Sequence, residues 1–181
     1  YRYRIGTGPY LYGGTGGIWN NDSGLLTVNS NLVDTGQVTV SPASVPEGTS
    51  STATVEIYEP GLTDTTYNAA NQTVEFAYVS GADSNPSTWS ATLWSSAGVT
   101  QSDAGNNDRY SVTLPNNLAV GTYYIAARVK KAGSTEWRYF GSNWGTWSSS
   151  ATVSVVSNKV DWANIQSPIS GTILTGTSYN V

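Results

Sequence analysis

Gly121-Thr-Tyr-Tyr-Ile-Ala-Ala-Arg-Val129 is the most strand-like run in the sequence. It is rich in β-branched and aromatic residues, a glycine opens it, and no charge interrupts it before Arg128. On either side, period-two alternation recurs. Thr52–Tyr58 sets Ala53, Val55 and Ile57 on one face against Thr54, Glu56 and Tyr58 on the other. Thr73–Val79 alternates with Val74, Phe76 and Tyr78 or their neighbours facing inward, and Arg109–Leu114 carries Tyr110, Val112 and Leu114. Gln37–Val40, Trp137–Phe140 and Ala151–Val156 add shorter strands. Trp89, Ala91 and Leu93 alternate as well, which predicts a further strand with Trp89 in the core. Pro42 and Pro46 flank a turn, and Glu59-Pro60-Gly61, Gly81–Pro86 and Pro115-Asn116-Asn117 mark others. About eight strands without a helical period predict an all-β fold, an antiparallel immunoglobulin-like β-sandwich.

The same strands belong to a repeat. Ser-Asn-x-Val-Asp occurs at 30–34 and again at 157–161, placing Val33 and Val160 127 residues apart. Each copy continues through a short apolar strand, a Ser-Pro turn (Ser41-Pro42, Ser167-Pro168) and a Ser/Thr/Gly stretch ending at Val55 or Val181. The opening residues match the other end of the unit: Arg4 aligns with Arg128, Tyr12 with Tyr139 and Trp19 with Trp147. The expected division is therefore 1–28, the closing strands of one repeat; 33–155, a complete sandwich; and 160–181, the first strands of another. Strands are expected near Tyr1–Ile5, Tyr10–Tyr12 and Gly24–Val28. The Gly13-Gly-Thr-Gly-Gly17 run reads as a flexible loop, because no Gly-Lys-Ser/Thr ending or helix makes it a phosphate loop.

Composition narrows the chemistry. Charged residues make up 11% of the chain, while 7 Trp and 12 Tyr supply core material, so low charge does not mean disorder. The sequence holds neither Cys nor His, which removes disulfides, thiolate or imidazole metal ligands and the usual general base. Carboxylates such as Asp34, Glu56, Glu59, Glu75, Asp83 and Asp161 show no pairing that predicts glycosidase chemistry. No catalytic role and no cofactor are expected. A net charge of −4 argues against nucleic acid, and no apolar run reaches the roughly 18 residues of a membrane span. The absence of an initiator Met and of a signal-type apolar stretch is expected of a mature or excerpted chain.

Several phrases together carry a resemblance: VDWANIQSPISGTI, YEPGLTD, NPSTW, GNND, GTYYIAAR and Tyr12-Gly-Gly-Thr-x-Gly-x-Trp-Asn-Asn-Asp22. The chain resembles immunoglobulin-like modules repeated in large secreted bacterial surface proteins. In such modules a Gly-Thr-Tyr opening leads the penultimate strand into the buried centre of a sheet. The resemblance implies an extracellular or cell-surface location and a structural or adhesive role.

The phase of the repeats carries the leading expectation, an extracellular filament or surface appendage whose subunits join head to tail. Incomplete sandwiches leave open strand edges that template strand addition, and a contact between two different surfaces propagates. The assembly residues are then Tyr1, Tyr3, Ile5, Tyr10, Tyr12, Leu25 and Val28 at one end. At the other they are Val160, Trp162, Ile165, Ile173, Tyr179 and Val181. The partners are copies of the same chain, or the next module of one long tandem polypeptide. The alternative is a carbohydrate-binding or adhesive module engaging surface glycans, for which Trp144 and Trp147, in a Gly/Ser/Asn loop, form a candidate platform. Asp103, Asn106 and Asp108 offer oxygen ligands for calcium, although an Asn/Asp/Gly turn explains the same residues. The sequons at Asn21 and Asn71 arise easily in so Ser/Thr-rich a chain, and no spacing singles out Lys130, Lys131 or Lys159 for an isopeptide bond.

Overall fold

The computed structural model describes residues 2–14, 17–18, 31–64 and 71–159. Among these lie β1 (Arg2–Tyr3), β2 (Leu11–Gly14), β3 (Gly17–Ile18), β4 (Thr35–Ser41), β5 (Ser44–Pro46) and β6 (Thr52–Tyr58). They are followed by β7 (Gln72–Ser80), β8 (Thr100–Ala104), β9 (Asn107–Thr113), β10 (Gly121–Lys131), β11 (Arg138–Phe140) and β12 (Ala151–Val156). β4 to β12 make a β-sandwich. One sheet runs β4-β6-β9-β8, antiparallel throughout. The second is organised around β10, with β7 along one edge. The other edge is shared: β12 takes its first half and β11 its second.

Alternation puts the facing residues of both sheets into one core. Ala53, Val55 and Ile57 of β6 meet Ile125, Ala127 and Val129 of β10, with Val38, Phe140 and Val153 filling the space between. The central strand is buried on its outer face too. Ala77 and Ala126 lie beneath Trp94, against which Trp89 and Tyr139 pack. That cover accounts for a strand that reads as apolar on both sides.

Three details differ from the sequence expectations. The segment around Trp89 is two single-turn 3-10 helices, Pro86–Thr88 and Ala91–Leu93. Asn85 and Ser90 cap them by accepting Ser87 N–H and Thr92 N–H, so local capping overrides the alternation. Trp89 is accordingly only half-buried, and it is Trp94 that is buried. Ser44–Pro46, expected as a turn, is strand β5, paired in parallel with Ser154–Val156 at the sheet edge where a proline is tolerated. Thr100–Ala104 forms β8, a polar edge strand with too few apolar residues to announce itself.

Candidate assembly interface

The first Ser-Asn-x-Val-Asp motif is built into the sandwich. Val33 is fully buried in the core, and the Asp34 N–H donates to Glu59 Oε2 at 2.8 Å. Glu59 is itself buried, and its other carboxylate oxygen pairs with Lys131 Nζ. Glu59 N–H donates to Thr63 Oγ1 at 3.0 Å, and Thr63 Oγ1 donates to Asn106 O at 2.8 Å. A carboxylate in that setting requires both its cation and its hydrogen bonds. The motif is thus fastened to the Lys131 end of β10.

The second motif leaves from the opposite end. Gly121 of β10 lies opposite Val155 of β12, so the chain emerges at the Gly121 pole. There Glu47 N–H donates to Val156 O at 2.9 Å, Asn158 Nδ2 reaches Glu47 O at 3.3 Å, and Lys159 N–H donates to Ser157 Oγ at 3.1 Å. The 11 residues of β10 separate the two poles by roughly 35 Å at about 3.3 Å per residue. Only Ser157, Asn158 and Lys159 lie between the end of β12 and the second Val-Asp.

The N-terminal hairpin repeats a feature of the sandwich. In β1–β2, Arg2 stands opposite Tyr12, as Arg128 stands opposite Tyr139 in β10–β11. Arg2 and Arg4 lie 4.6 and 5.1 Å from the ring centre of Tyr10, while Arg128 and Lys130 lie 4.2 and 4.7 Å from that of Trp137. In both hairpins two cations spaced two residues apart therefore hold an aromatic two residues before the tyrosine. This register equates Arg2, not Arg4, with Arg128. It also makes Gly13, Gly14 and Gly17 paired strand residues in place of the expected loop.

The two hairpins differ in cover. Tyr139 packs edge-to-face on Trp94 at 5.6 Å and is half-buried, whereas Tyr12 is 51% exposed and Tyr10 44%. Ile5 is 85% exposed. Of the other expected assembly residues, the Tyr3 backbone pairs with Leu11. Tyr1, Leu25, Val28, Val160, Trp162, Ile165, Ile173, Tyr179 and Val181 lie outside the described residues.

The remaining candidates are placed as follows. Trp144 is 49% exposed. Trp147 is half-buried; its Nε1 donates to Ser150 Oγ at 3.1 Å and its N–H to Tyr139 O at 2.9 Å. Trp94 and Trp137 enclose Arg128, which also pairs with Glu75 Oε2 at 2.6 Å. Asp103, Asn106 and Asp108 sit at the β8–β9 hairpin, with Asp103 opposite Asp108. One oxygen of each has an internal partner: Asp103 Oδ1 accepts Gly105 N–H, Asn106 O accepts Thr63 Oγ1–H, and Asp108 Oδ2 accepts Gln72 Nε2–H, while the buried Asp108 Oδ1 has no hydrogen-bond partner among the described residues. Burial, aided by the nearby Asp103 charge, pushes the Asp108 carboxyl above its ordinary pKa. The buried Gln72–Asp108–Tyr110 network has no counterpart in local sequence pattern, because Gln72 comes from β7 while Asp108 and Tyr110 come from β9, 36 and 38 residues further on.

No family model matches the sequence, and no curated protein matches it. Among solved structures, the Yersinia pseudotuberculosis adhesin InvE is similar at 18% identity over 67% of this chain, with a TM-score of 0.34. The chain spans 26% of that adhesin's length. Similarity at that level establishes neither a shared topology nor a shared role.

Proposed function

We propose that the chain supplies non-catalytic sandwich modules to an extracellular filament or surface appendage in which successive modules are strung end to end. The observation that carries this reading is the placement of one motif at both poles. Val33-Asp34 is fixed at the Lys131 end of β10, and Ser157–Lys159, the three residues that lead into its copy in the sequence, leave β12 at the Gly121 end. A repeat arranged this way extends in a line.

The strand order supports an immunoglobulin-like reading. β4-β6-β9-β8 correspond to strands A-B-E-D and β7-β10-β12 to C-F-G. It also favours a tandem array over exchange between two copies. Residues 160–181 repeat 33–55 with a one-residue gap, and 1–28 repeat the region after about Arg128. A composite of those two pieces would lack equivalents of β7, β8, β9 and most of β10, the centre of the sheet. A preceding module joined to the β1–β2 hairpin in one polypeptide supplies what Tyr10 and Tyr12 lack, a cover equivalent to the one Trp94 gives Tyr139.

Mass spectrometry of the native material under denaturing conditions separates the two connectivities. A very large chain is expected, and a single species of 19.2 kDa would restore strand exchange between subunits. Small-angle scattering of two copies of 31–159 joined at the natural 127-residue period should give a rod of about 75 Å, twice the span of β10 plus a short joint. A globular pair with side-by-side modules would rule out the linear reading.

A further inference from the structure

We propose that the outer face of the β4-β6-β9-β8 sheet carries a binding site for a neutral sugar ring, formed by Gln37, Thr39, Thr54, Glu56 and Arg109, with the loop that bears Trp144 tied to its β4 edge. Strand alternation creates the face. Gln37 lies opposite Glu56, which lies opposite Arg109; one row along, Thr39 lies opposite Thr54, which lies opposite Ser111. The five side chains line a surface depression of about 410 Å³. That volume falls within the range of small-ligand sites.

The lining is already ordered by its own hydrogen bonds. Glu56 Oε1 accepts Asn107 Nδ2–H at 2.7 Å and Oε2 accepts from the Arg109 guanidinium at 2.8 Å. Thr54 and Ser111 share a hydroxyl bond of 2.9 Å, and Gln37 Nε2 donates to Ser142 O at 2.8 Å. These bonds fix the side chains without using up their capacity. Gln37 Oε1, the hydroxyl of the exposed Thr39 and the remaining N–H groups of the half-exposed Arg109 guanidinium add acceptors and donors to the same face. Donors and acceptors mixed over a few ångströms suit vicinal hydroxyls, each of which both donates and accepts. Glu56 and Arg109 neutralise each other, which favours an uncharged ring over an anion or a cation. The Arg109 and Asn107 hydrogen bonds hold the Glu56 carboxyl below its ordinary pKa, so it stays an acceptor at neutral pH.

A sugar ring also presents an apolar face of C–H groups, for which an exposed aromatic is the usual complement. Trp144 is the candidate for that role. Its loop is tied to the β4 edge by the Ser142–Gln37 bond and by the bridge between Gly36 and Gly145. The loop that carries this exposed indole is thereby joined to the strand that supplies Gln37 and Thr39.

The test is a titration of the ¹⁵N-labelled 181-residue chain with the methyl glycosides of glucose, galactose, mannose and N-acetylglucosamine and with cellobiose and diacetylchitobiose. At least one sugar should produce saturable shifts in the amides of Gln37, Thr39 and Thr54 and in the Trp144 indole N–H. Trp144→Ala and Thr39→Val should each weaken that binding about tenfold, as expected for an anchor contact, while leaving distant amides unmoved. The inference is overturned by an absence of saturable shifts with all six sugars, by shifts confined to another surface, or by undiminished binding in both variants. Binding of glucuronate with none of the neutral sugars would overturn the assignment of an uncharged ligand. Filament architecture plays no part in any of these outcomes.

Discussion

Replacing Lys131 by methionine removes the cation facing Glu59 while keeping most of the aliphatic stem. The Glu59 side chain is only 7% exposed and that of Lys131 20%, so water can replace little of the lost partner. Removing one member of a buried pair costs about 3–5 kcal/mol. The Asp34 N–H still bonds Oε2, which places the expected loss near the lower end, about 3 kcal/mol. For a domain of this size that lowers the melting temperature by about 10 °C. Urea unfolding at pH 7, followed by tryptophan fluorescence, measures the loss directly. A second change in the same background, Glu59→Gln, keeps an acceptor for Asp34 N–H and removes the stranded charge. It should restore about 2 kcal/mol. The Asp34 amide should exchange faster in Lys131→Met and recover in the double variant. A loss under about 1 kcal/mol, the size of an exposed pair, would refute the claim that this ion pair fixes the linker motif. So would a Glu59→Gln change that brings no recovery.

Three further outcomes follow from local geometry. A Cβ at Gly141 would stand 1.9 Å from Ser149 O and 2.7 Å from Trp147 Cδ1. Gly141→Ala should therefore cost about 3 kcal/mol by the same urea titration. Arg128→Met should cost about 2 kcal/mol and shift the fluorescence of Trp94 and Trp137, and Arg128→Lys should not restore it, because a lysine lacks the planar group that stacks between two rings. Glu56 and Asp108 should oppose each other as pH changes. The lowered Glu56 pKa stabilises above its ordinary range and is lost as pH falls through the folded value; the raised Asp108 pKa favours the fold at low pH and is lost as pH rises through its folded value. Stability measured against pH should thus show a shallower acid-side fall in Glu56→Gln, and a gain at neutral pH in Asp108→Asn.

How much of this was legible in the sequence depended on whether the cause was local. Thr52–Tyr58 and Ala151–Val156 coincide with β6 and β12, because strict alternation with turn residues at both ends leaves one strand solution. Trp89–Leu93 had the alternation but also Asn85, Pro86 and Ser90, and side-chain caps closing 3-10 turns outweighed a pattern of three apolar residues. β5 could not be seen locally, since its strand character exists only through Val156 and its neighbours, more than a hundred residues away. The polar depression on the outer sheet was invisible for the same reason. Gln37, Glu56 and Arg109 are ordinary solvent-facing residues until the register sets them side by side.

The repeat shows where sequence comparison and geometry constrain each other. Matching letters paired Arg4 with Arg128, because Arg-Ile resembles Arg-Val. Cross-strand pairing moves the equivalence to Arg2, where both the tyrosine opposite and the pair of cations on the preceding aromatic agree. What repeats is therefore a packing unit, a basic strand laid against an aromatic one. In the sandwich, Trp94 closes that unit from above. A hairpin that keeps the cation–aromatic contacts while exposing Tyr10 and Tyr12 retains the part that can form from its own residues. Over Tyr139 the cover comes from Trp94, a residue outside the β10–β11 hairpin. This dependence ties the stability of the β10–β11 hairpin to Trp94 and, through Ala77 and Ala126 beneath it, to the centre of the sheet.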